Sequence, residues 1–440
     1  MISVARGAAV AAAALGVAAW LLHARRHRRR GGVGSPLPRA REHGACIYLD
    51  YQATTPVFPE VAAAAEPFLR LHWGNPSSGH AFGRTSAAAV VRARAHCAAL
   101  LSAHADEILF TSCGSEADNH AIVGALVREE ARRRAEGDEG LALPHLVTSV
   151  VEHPAVVECV RALQAAGRLR VTWVGVDATG RVDAREVALA VEPTTVLVSV
   201  MHSNNEVGAL QPVAEIARLV RTCSLRPDVL LHTDAAQSAG KLRLDVRELG
   251  VDLLTLVGHK FGAPKGVGAL YVRRGVALPS LLHGGGQEGG RRAGTESVLL
   301  LVAMGEAARL AVDELDSLRA HMSATRERLA ARLQAGLPAG AVRIHGPAEP
   351  SARLPNTLSV GIEGVRAAEL LARLQERVAA SAGAACHSGG AVSAVLKAMG
   401  VPLEVAVGTL RLSTGRHTTM EEVERAADEI IAEARRQLGV

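Results

Sequence analysis

Short apolar runs alternate with helical stretches from Cys46 to about Val272, and this alternation constrains the fold more than any other feature of the sequence. The runs predict seven strands: Glu107–Thr111, His145–Val150, Leu169–Val176, Thr195–Met201, Val229–Thr233, Leu253–Val257 and Val267–Val272. Segments rich in Ala, Val, Arg and Glu, such as Ser115–Arg134 and Pro154–Gln164, predict helices between them. We therefore expect an α/β fold with a mostly parallel seven-stranded sheet, helices on both faces, and ligands beyond the carboxyl ends of the strands.

The pattern changes after about Leu300. A long amphipathic helix is predicted over Leu301–Leu337, followed by shorter strands near Val342–His345 and Thr357–Gly361 and by further helices. This order predicts a smaller α+β domain over residues 301–440, after a large domain over residues 42–300. The charged segment Arg132–Gly140 is typical of a solvent-exposed loop.

Residues 1–41 differ in composition from the rest of the chain. They contain eight arginines and no acidic residue, whereas the whole protein has a net charge of +5, so the remainder is slightly acidic. A basic surface for nucleic acid on the folded part is therefore not expected. The uncharged stretch Ala8–Leu22 is shorter than the roughly 20 residues of a spanning helix, and the basic cluster follows it rather than precedes it.

Two interpretations of this N-terminal segment remain open. If residues 8–22 contact or enter a membrane, the basic flank leaves residues 31 onward in the cytoplasm. An organelle-targeting peptide, for example for the mitochondrion, has the same excess of arginine and lack of acids. In both cases Gly31–Pro38 is expected to be a linker.

The six cysteines are scattered, with no CxxC pair and no dense framework. This usage favours a reducing compartment in which most of the thiols fill the core. No pair has the spacing of zinc ligands, so no metal site is predicted.

Lysine is scarce: the chain has four lysines and 45 arginines. Lys260 follows the apolar run Val251–Val257, and Asp234 ends the buried strand that begins at Val229. A desolvated lysine amine can attack a carbonyl group, which a permanently protonated guanidinium cannot do. An amine and a carboxylate at two strand ends of one sheet suit pyridoxal phosphate, whose aldehyde binds lysine and whose pyridine nitrogen is kept protonated by an acid.

A third strand end favours the same cofactor. In Thr111–Asn119 a strand leads into a helix, so that backbone N–H groups at Gly114 and Ser115 would face an anion such as the cofactor phosphate. Ser115 could instead serve only as a helix cap. His153 lies at another strand end, where its imidazole could stack on a cofactor ring or be structural.

The chain strongly resembles the family of cysteine desulfurases and selenocysteine lyases, which are pyridoxal-phosphate enzymes of the class V aminotransferase fold, fold type I. The resemblance extends from Tyr48 to about Glu433. It rests on motifs that occur in the family's order: Tyr48–Pro56, Gly74–Ser78, Thr111–Asn119, Asn204–Glu206, His232–Gln237, Gly258–Lys260, Gly284–Glu288 and Arg292–Glu296.

The resemblance implies a role for each site residue. Lys260 would bind the cofactor and later move the Cα proton of the substrate, and Asp234 would pair with the pyridinium nitrogen. The other implied cofactor contacts are Gln237 and Asn205 on the ring oxygen and the substrate side, His153 on the ring face, Gly114, Ser115 and His259 on the phosphate, and Thr295 on the phosphate of the neighbouring subunit. The contact of Thr295 implies a homodimer with shared sites.

The resemblance also implies the nucleophile and the reaction. Cys386, in the small-residue segment Ser381–Gly390, would attack the chalcogen of the substrate, which requires an accessible and partly ionised thiol. Arg411 would clamp the substrate carboxylate in a bidentate contact, beside Asn205. Selenium or sulfur would leave L-selenocysteine or L-cysteine, L-alanine would be released, and a perselenide or persulfide on Cys386 would pass to an acceptor protein.

Several details favour selenocysteine lyase within the family. These are Val257, where many desulfurases have serine, the run Gly284–Glu288, and Ala384–Ser388 around the cysteine. The stretch after Cys386 is shorter and less acidic than in vertebrate selenocysteine lyases. A general cysteine desulfurase, supplying sulfur for iron–sulfur clusters or tRNA thiolation, is the alternative. A membrane-tethered scaffold with little turnover is a weaker one, because Lys260, Asp234, Cys386 and Arg411 are all present.

Overall fold

The computed structural model describes residues 46–137, 142–222, 225–383 and 392–440, and these residues belong to one compact unit. The described strands are β1 Ile47–Tyr48, β2 Ile108–Thr111, β3 His145–Ser149, β4 Arg170–Val174, β5 Thr195–Ser199, β6 Leu230–Asp234, β7 Leu253–Val257, β8 Gly268–Val272, β9 Val342–His345, β10 Thr357–Ile362, β11 Val378–Ala379, β12 Ser381–Ala382 and β13 Thr409–Ser413. The described α-helices are α1 Pro59–Arg70, α2 Ala81–Leu100, α3 Gly114–Glu136, α4 Pro154–Ala165, α5 Ala184–Leu189, α6 Val213–Thr222, α7 Val246–Leu249, α8 Val298–Gly336, α9 Ala367–Leu374, α10 Ala394–Ala398, α11 Leu403–Ala406 and α12 Met420–Leu438.

Strands β2 to β8 form the predicted seven-stranded sheet, in the order β2-β8-β7-β6-β5-β3-β4. Its centre, from β4 to β7, is parallel, and β8 pairs antiparallel with both β7 and β2. All residues of β5, β6 and β7 are buried, as expected for strands covered on both faces. Strands β3, β4 and β5 end one or two residues earlier than predicted, because there the chain leaves the sheet.

The predicted loop over Arg132–Gly140 is wrong in its first part. Helix α3 continues to Glu136 and ends at Gly137, whose φ of 71° forms a left-handed cap. Arg132 and Arg133 both contact the carboxylate of Glu129, whose side chain is almost fully buried. Since these charges are paired, the charged segment packs as helix. Residues 138–140 lie outside the described residues.

A second, antiparallel sheet has the order β12-β13-β10-β9 and, with the helices around it, gives the predicted C-terminal α+β part. Its core contains Leu358, Val360, Leu410 and Leu412. The first half of α8 packs in the core of the large sheet and the second half in this core, so one 39-residue helix joins both. The domain boundary at residue 300 stays a prediction.

The predicted N-terminal segment, residues 1–41 with the apolar stretch 8–22 and the linker 31–38, lies outside the described residues. Among the helices that the structure does describe, none is long and apolar enough to span a membrane.

Candidate active site

Five strand ends of the large sheet meet at one cavity of about 210 Å³. The segments that follow β2, β3, β5, β6 and β7 all contribute to its wall, which is where a parallel sheet places its ligands. The cavity is lined by Cys113, Gly114, Ser115, Asp118, His153, Met201, Ser203, Asn205, Asp234, Ala236, Gln237, Val257, His259 and Lys260. All the cofactor residues predicted from the sequence are in this set except Thr295.

Lys260 lies in a 3₁₀ turn directly after β7. Its Nζ donates to the carbonyl oxygens of Gln52 at 2.7 Å and Ala53 at 2.9 Å. Burial, together with the positive charge of Arg411, lowers the pKa of Lys260 to about 8, although Asp234 and Asp50 oppose this. The amine can therefore lose its proton near neutral pH, as a nucleophile or proton carrier must.

Asp234 is the last residue of β6 and is only 7% exposed. Its Oδ1 accepts a hydrogen bond from the Ala236 N–H at 2.8 Å. Burial raises the pKa of Asp234, while the charges of His153 and Lys260 act in the opposite direction. A buried carboxylate of this kind is stabilised by a cation placed against it in the cavity.

His153 caps the N-terminus of α4, where its Nδ1 accepts the Ala155 N–H at 3.2 Å. Burial lowers the pKa of His153, and Asp234 raises it in part. The ring is thus a neutral imidazole whose proton is on Nε2. It lines the cavity together with Asp234, so a ring held by that acid would lie within reach of the imidazole.

The phosphate site predicted from the sequence lies at the N-terminus of the 23-residue helix α3. Gly114 and Ser115 begin this helix and line the cavity, but the cap is Cys113, whose Sγ accepts the Glu116 N–H at 3.4 Å. The capping role considered for Ser115 is therefore wrong. A Cβ at Gly114 would lie 2.5 Å from Cγ2 of Val257, so residue 114 must be glycine beside this valine.

His259 lines the same cavity as the start of α3. Its Nδ1 is 3.1 Å from Thr54 Oγ1, and burial lowers the pKa of His259 to about 4. The imidazole is therefore neutral at pH 7 and would bind an anion as a hydrogen-bond partner rather than as a cation.

Arg411, in the middle of β13, is close to this cavity. Its Nη2 donates to Asp50 Oδ1 at 2.9 Å and to Ser381 Oγ at 3.0 Å, and its Nη1 donates to the Asn205 carbonyl at 3.2 Å. Its Nε is buried and has no hydrogen-bond partner among the described residues. The guanidinium is thus held in place with donor capacity remaining, as a carboxylate clamp requires.

Of the remaining predicted residues, Thr295 lies outside this cavity and Cys386 lies outside the described residues. Thr295 is exposed and lines a separate cavity of about 190 Å³ with Ser112 and Arg292. Its contact with the phosphate of a neighbouring subunit stays a prediction. Cys386 lies in residues 384–391, outside the described residues, so the nucleophile also stays a prediction.

The structure adds residues to which sequence reasoning gave no role. Gln52 and Asp50 contact Lys260 and Arg411, and both lie in the recognised motif Tyr48–Pro56. Glu152 is buried beside Asp234, with its carboxylate accepting the Met201 N–H at 3.0 Å. The signal for Glu152 in the sequence is its position beside His153 at the end of β3.

The residues of the cavity fit pyridoxal phosphate. Gln237 Oε1 is buried and has no hydrogen-bond partner among the described residues, and a hydroxyl on the cofactor ring would provide one. Asp234 would offer a carboxylate to the protonated ring nitrogen, and the start of α3 would offer N–H groups to the phosphate. Lys260 would supply the amine for the aldehyde.

Comparison with known proteins supports this assignment. The family model described as aminotransferase class-V matches residues 47–426. The chain is 39% identical over 384 residues to cysteine desulfurase IscS of Dictyoglomus turgidum, covering 87% of this chain and 93% of that protein. It is 41% identical over 394 residues to selenocysteine lyase of Xenopus tropicalis, covering 86% of this chain and 91% of that protein. A solved structure of a NifS-like protein has a TM-score of 0.78 at 34% identity, covering 88% of this chain and 98% of that one.

The family match spans nearly all of the described chain, and it includes the strand ends that place Asp234 and Lys260 in one cavity. The protein therefore belongs to the class V aminotransferase family of pyridoxal-phosphate enzymes.

Proposed function

We propose that the protein is a pyridoxal-phosphate-dependent lyase that removes selenium from L-selenocysteine, or sulfur from L-cysteine, and releases L-alanine. The observation that carries this proposal is the convergence of Lys260 and Asp234 on one cavity, with Arg411 held close to it. The named relatives, a cysteine desulfurase and a selenocysteine lyase, support the same chemistry.

The bound cofactor supplies an electron sink for charge that develops at the substrate Cα and Cβ. Arg411, already oriented by Asp50, binds the substrate carboxylate, and Asn205 lies beside it. Lys260, with its lowered pKa, takes the Cα proton and returns it during alanine formation. Asp234 keeps a positive charge on the ring nitrogen, and neutral His153 covers the ring without adding a competing charge.

Cys386 is the proposed nucleophile. Its thiolate attacks the selenium or sulfur atom, the carbon–chalcogen bond breaks, and the electron pair of that bond remains on the substrate carbon, which is protonated to give alanine. The chalcogen stays on Cys386 as a perselenide or persulfide until an acceptor protein removes it. Ser381, five residues before Cys386 in the sequence, contacts Arg411 and Asp50, and this supports the role.

We further propose a homodimer with shared sites and a cytoplasmic catalytic domain. The exposed Thr295 and the cavity that it lines with Ser112 and Arg292 support a shared site, because they lie beside the start of α3, where the phosphate would bind. The N-terminal segment would anchor the protein to a membrane or direct it to an organelle.

Steady-state kinetics with both amino acids tests the function and separates its two forms. Purified protein loaded with cofactor is supplied with L-selenocysteine or L-cysteine, and alanine is measured together with selenide or sulfide. A selenocysteine lyase gives a much higher kcat/KM with selenocysteine, and a general desulfurase turns over cysteine at a comparable rate. Absence of alanine from both substrates would refute the proposal.

A further inference from the structure

Lys241 is a second buried lysine behind the cavity, and nothing in the proposed mechanism uses it. It lies in the turn after β6 and is 4% exposed. Its Nζ donates to the carbonyl oxygen of Gln237 at 2.9 Å and to that of Lys260 at 3.2 Å. Both acceptors belong to residues that line the cofactor cavity.

The amino group of Lys241 has no acidic partner in the part of the chain that the structure describes. No carboxylate of the described residues forms a salt bridge with it. Its pKa is lowered by burial and, to a smaller extent, by the positive charge of Lys260. A buried, unpaired charge is costly, and the chain has only four lysines. A neutral side chain at this position would avoid the cost, so the charge calls for an explanation in terms of the site.

We propose that Lys241 is a positioning residue of the cofactor site: it bridges the main-chain carbonyls of Gln237 and Lys260 and places a second positive charge against the turn that carries the Lys260 amine. The bridge fixes the separation of the two turns that carry the ring-binding glutamine and the cofactor-binding lysine. This inference rests on the proposed function, because it assigns Lys241 to the chemistry of Lys260.

The charge acts on Lys260 in a defined direction. A cation near an amine disfavours the protonated form, so a charged Lys241 keeps more of Lys260, free or joined to the cofactor, in its unprotonated form. In turn, burial and the charge of Lys260 lower the pKa of Lys241 to about 7. The effect of Lys241 is therefore strongest below about pH 7 and declines as its own proton is lost.

Other charged groups near Lys241 do not replace it. His259, on the same turn as Lys260, has a pKa of about 4 and is neutral. Arg416 lines a small cavity of about 30 Å³ together with Lys241 and Lys260, but its charge is compensated by Glu60 at 2.9 Å and Glu314 at 2.8 Å. Tyr51, on the wall of the same cavity, stays neutral because burial raises its pKa.

The test uses the cofactor-loaded enzyme and its absorbance, which reports the protonation of the nitrogen that joins Lys260 to the cofactor. The absorbance is titrated between about pH 5 and 10 in the wild type and in three variants. Lys241→Met removes both the bridge and the charge, Lys241→Gln keeps an N–H donor without the charge, and Lys241→Arg keeps the charge at every pH. Lys397→Met, at an exposed lysine on α10, is the matched control.

We expect Lys241→Gln and Lys241→Met to raise the apparent pKa of the absorbance by about half a unit, a roughly threefold change in the proton concentration at the midpoint, because Lys241 is only partly protonated above pH 7. Lys241→Arg should leave it at or below the wild-type value, and Lys397→Met should match the wild type. An unchanged midpoint in both uncharged variants would overturn the inference. If neither folds, a midpoint in Lys241→Arg above that of the wild type overturns it equally.

Failure of the inference and failure of the proposed function have different signatures. If the proposed function is wrong, the wild type shows no absorbance band that depends on Lys260. If only the inference is wrong, the band is present and its midpoint does not respond to residue 241.

Discussion

The carboxylate of Asp50 lies 2.9 Å from Nη2 of Arg411 and also accepts the hydroxyl of Ser381 at 3.0 Å. Both side chains of the ion pair are largely buried, with exposures of 15% for Arg411 and 18% for Asp50. Asp50 follows β1, which pairs with β11, and Ser381 begins β12, so the contact joins chain segments that are more than 300 residues apart. Asp50 thus determines the direction in which the predicted carboxylate clamp points.

Asp50→Ala should weaken substrate binding more than it slows turnover. Without this acceptor Arg411 loses its orientation, and we expect KM for the amino acid to rise about tenfold, or roughly 1.4 kcal/mol, with a smaller change in kcat. Asp106→Ala is the matched control, because the Asp106–Arg274 pair is likewise close, at 2.7 Å, but neither residue lines the cofactor cavity. An unchanged KM in Asp50→Ala would show that Arg411 does not need this support.

Lys260→Ala should abolish turnover while the protein remains folded. The purified wild type should be yellow, and borohydride should attach the cofactor covalently to Lys260, as peptide mass spectrometry can show. The variant should bind cofactor without that linkage and release no alanine above background. Full activity in Lys260→Ala would exclude the assigned reaction class.

Glu152 should make the stability of the cofactor-free protein depend on pH. Burial raises the pKa of Glu152 from its ordinary value of 4.5 to about 8, whereas the Ser149 hydroxyl and the Met201 N–H favour the carboxylate. The folded state therefore prefers the protonated form of Glu152. The stability that this preference gives to the folded state is complete below about pH 4.5 and is lost as the pH rises through 8.

Glu152→Gln should remove this dependence. Between pH 5 and 9 the melting temperature of the variant should rise relative to that of the wild type by a few degrees. Thermal unfolding at pH 5, 7 and 9 measures the difference, with Glu158→Gln, at an exposed position on α4, as the control. Parallel curves for Glu152→Gln and the wild type would contradict a raised pKa.

Replacement of Cys386 should separate the two substrates. A selenolate is already a good leaving group, so Cys386→Ala should retain part of the selenium release, while sulfur removal needs the thiolate and should be lost. Cofactor spectra should stay normal, because Lys260 and Asp234 are unchanged. Normal cysteine desulfuration by Cys386→Ala would move the nucleophile to Cys113, which is exposed and lines the cavity.

Thiol labelling checks the same assignment independently. Cys386 should react fastest in the wild type. Cys97 and Cys159 are buried on helices, and burial raises the pKa of these thiols to about 12 and about 11, so both should be protected.

Deletion of residues 1–41 should leave an active dimer. The segment differs in composition from the rest, and the family match begins only at residue 47. Sedimentation and kinetics of the truncated protein test this expectation, and a fluorescent fusion of residues 1–41 shows whether they direct a protein to a membrane or an organelle. Loss of cofactor or of folding on truncation would contradict it.

The sequence was sufficient to predict the large sheet and the acid–amine pair in its site. Asp234 ends one fully buried apolar strand, and Lys260 lies in the turn that follows another. Parallel strands bring their carboxyl ends together, so the local pattern alone predicts that the two residues are close. The motifs then identified Gly114, Ser115, His153 and His259, all of which line the cavity.

Contacts between distant segments were not predictable in this way. The pair Asp50–Arg411 spans 361 positions and depends on the antiparallel register of β10, β12 and β13, which no local pattern encodes. The loop predicted to begin at Arg132 is wrong for a related reason. The charge of Arg132 and Arg133 indicates a solvent-exposed loop, but the acid that holds them, Glu129, is buried, and it also pairs with Arg226 from a distant segment.

The contact between Gly114 and Val257 has a consequence for laboratory evolution of this enzyme. Because a Cβ at residue 114 would approach Cγ2 of Val257 to 2.5 Å, a library that varies residue 114 alone should return almost only glycine. A library that also admits alanine at residue 257 removes the obstructing methyl group, and larger residues at 114 become accessible. The two codons should therefore be randomised together, since the effect of a side chain at residue 114 depends on which residue stands at 257.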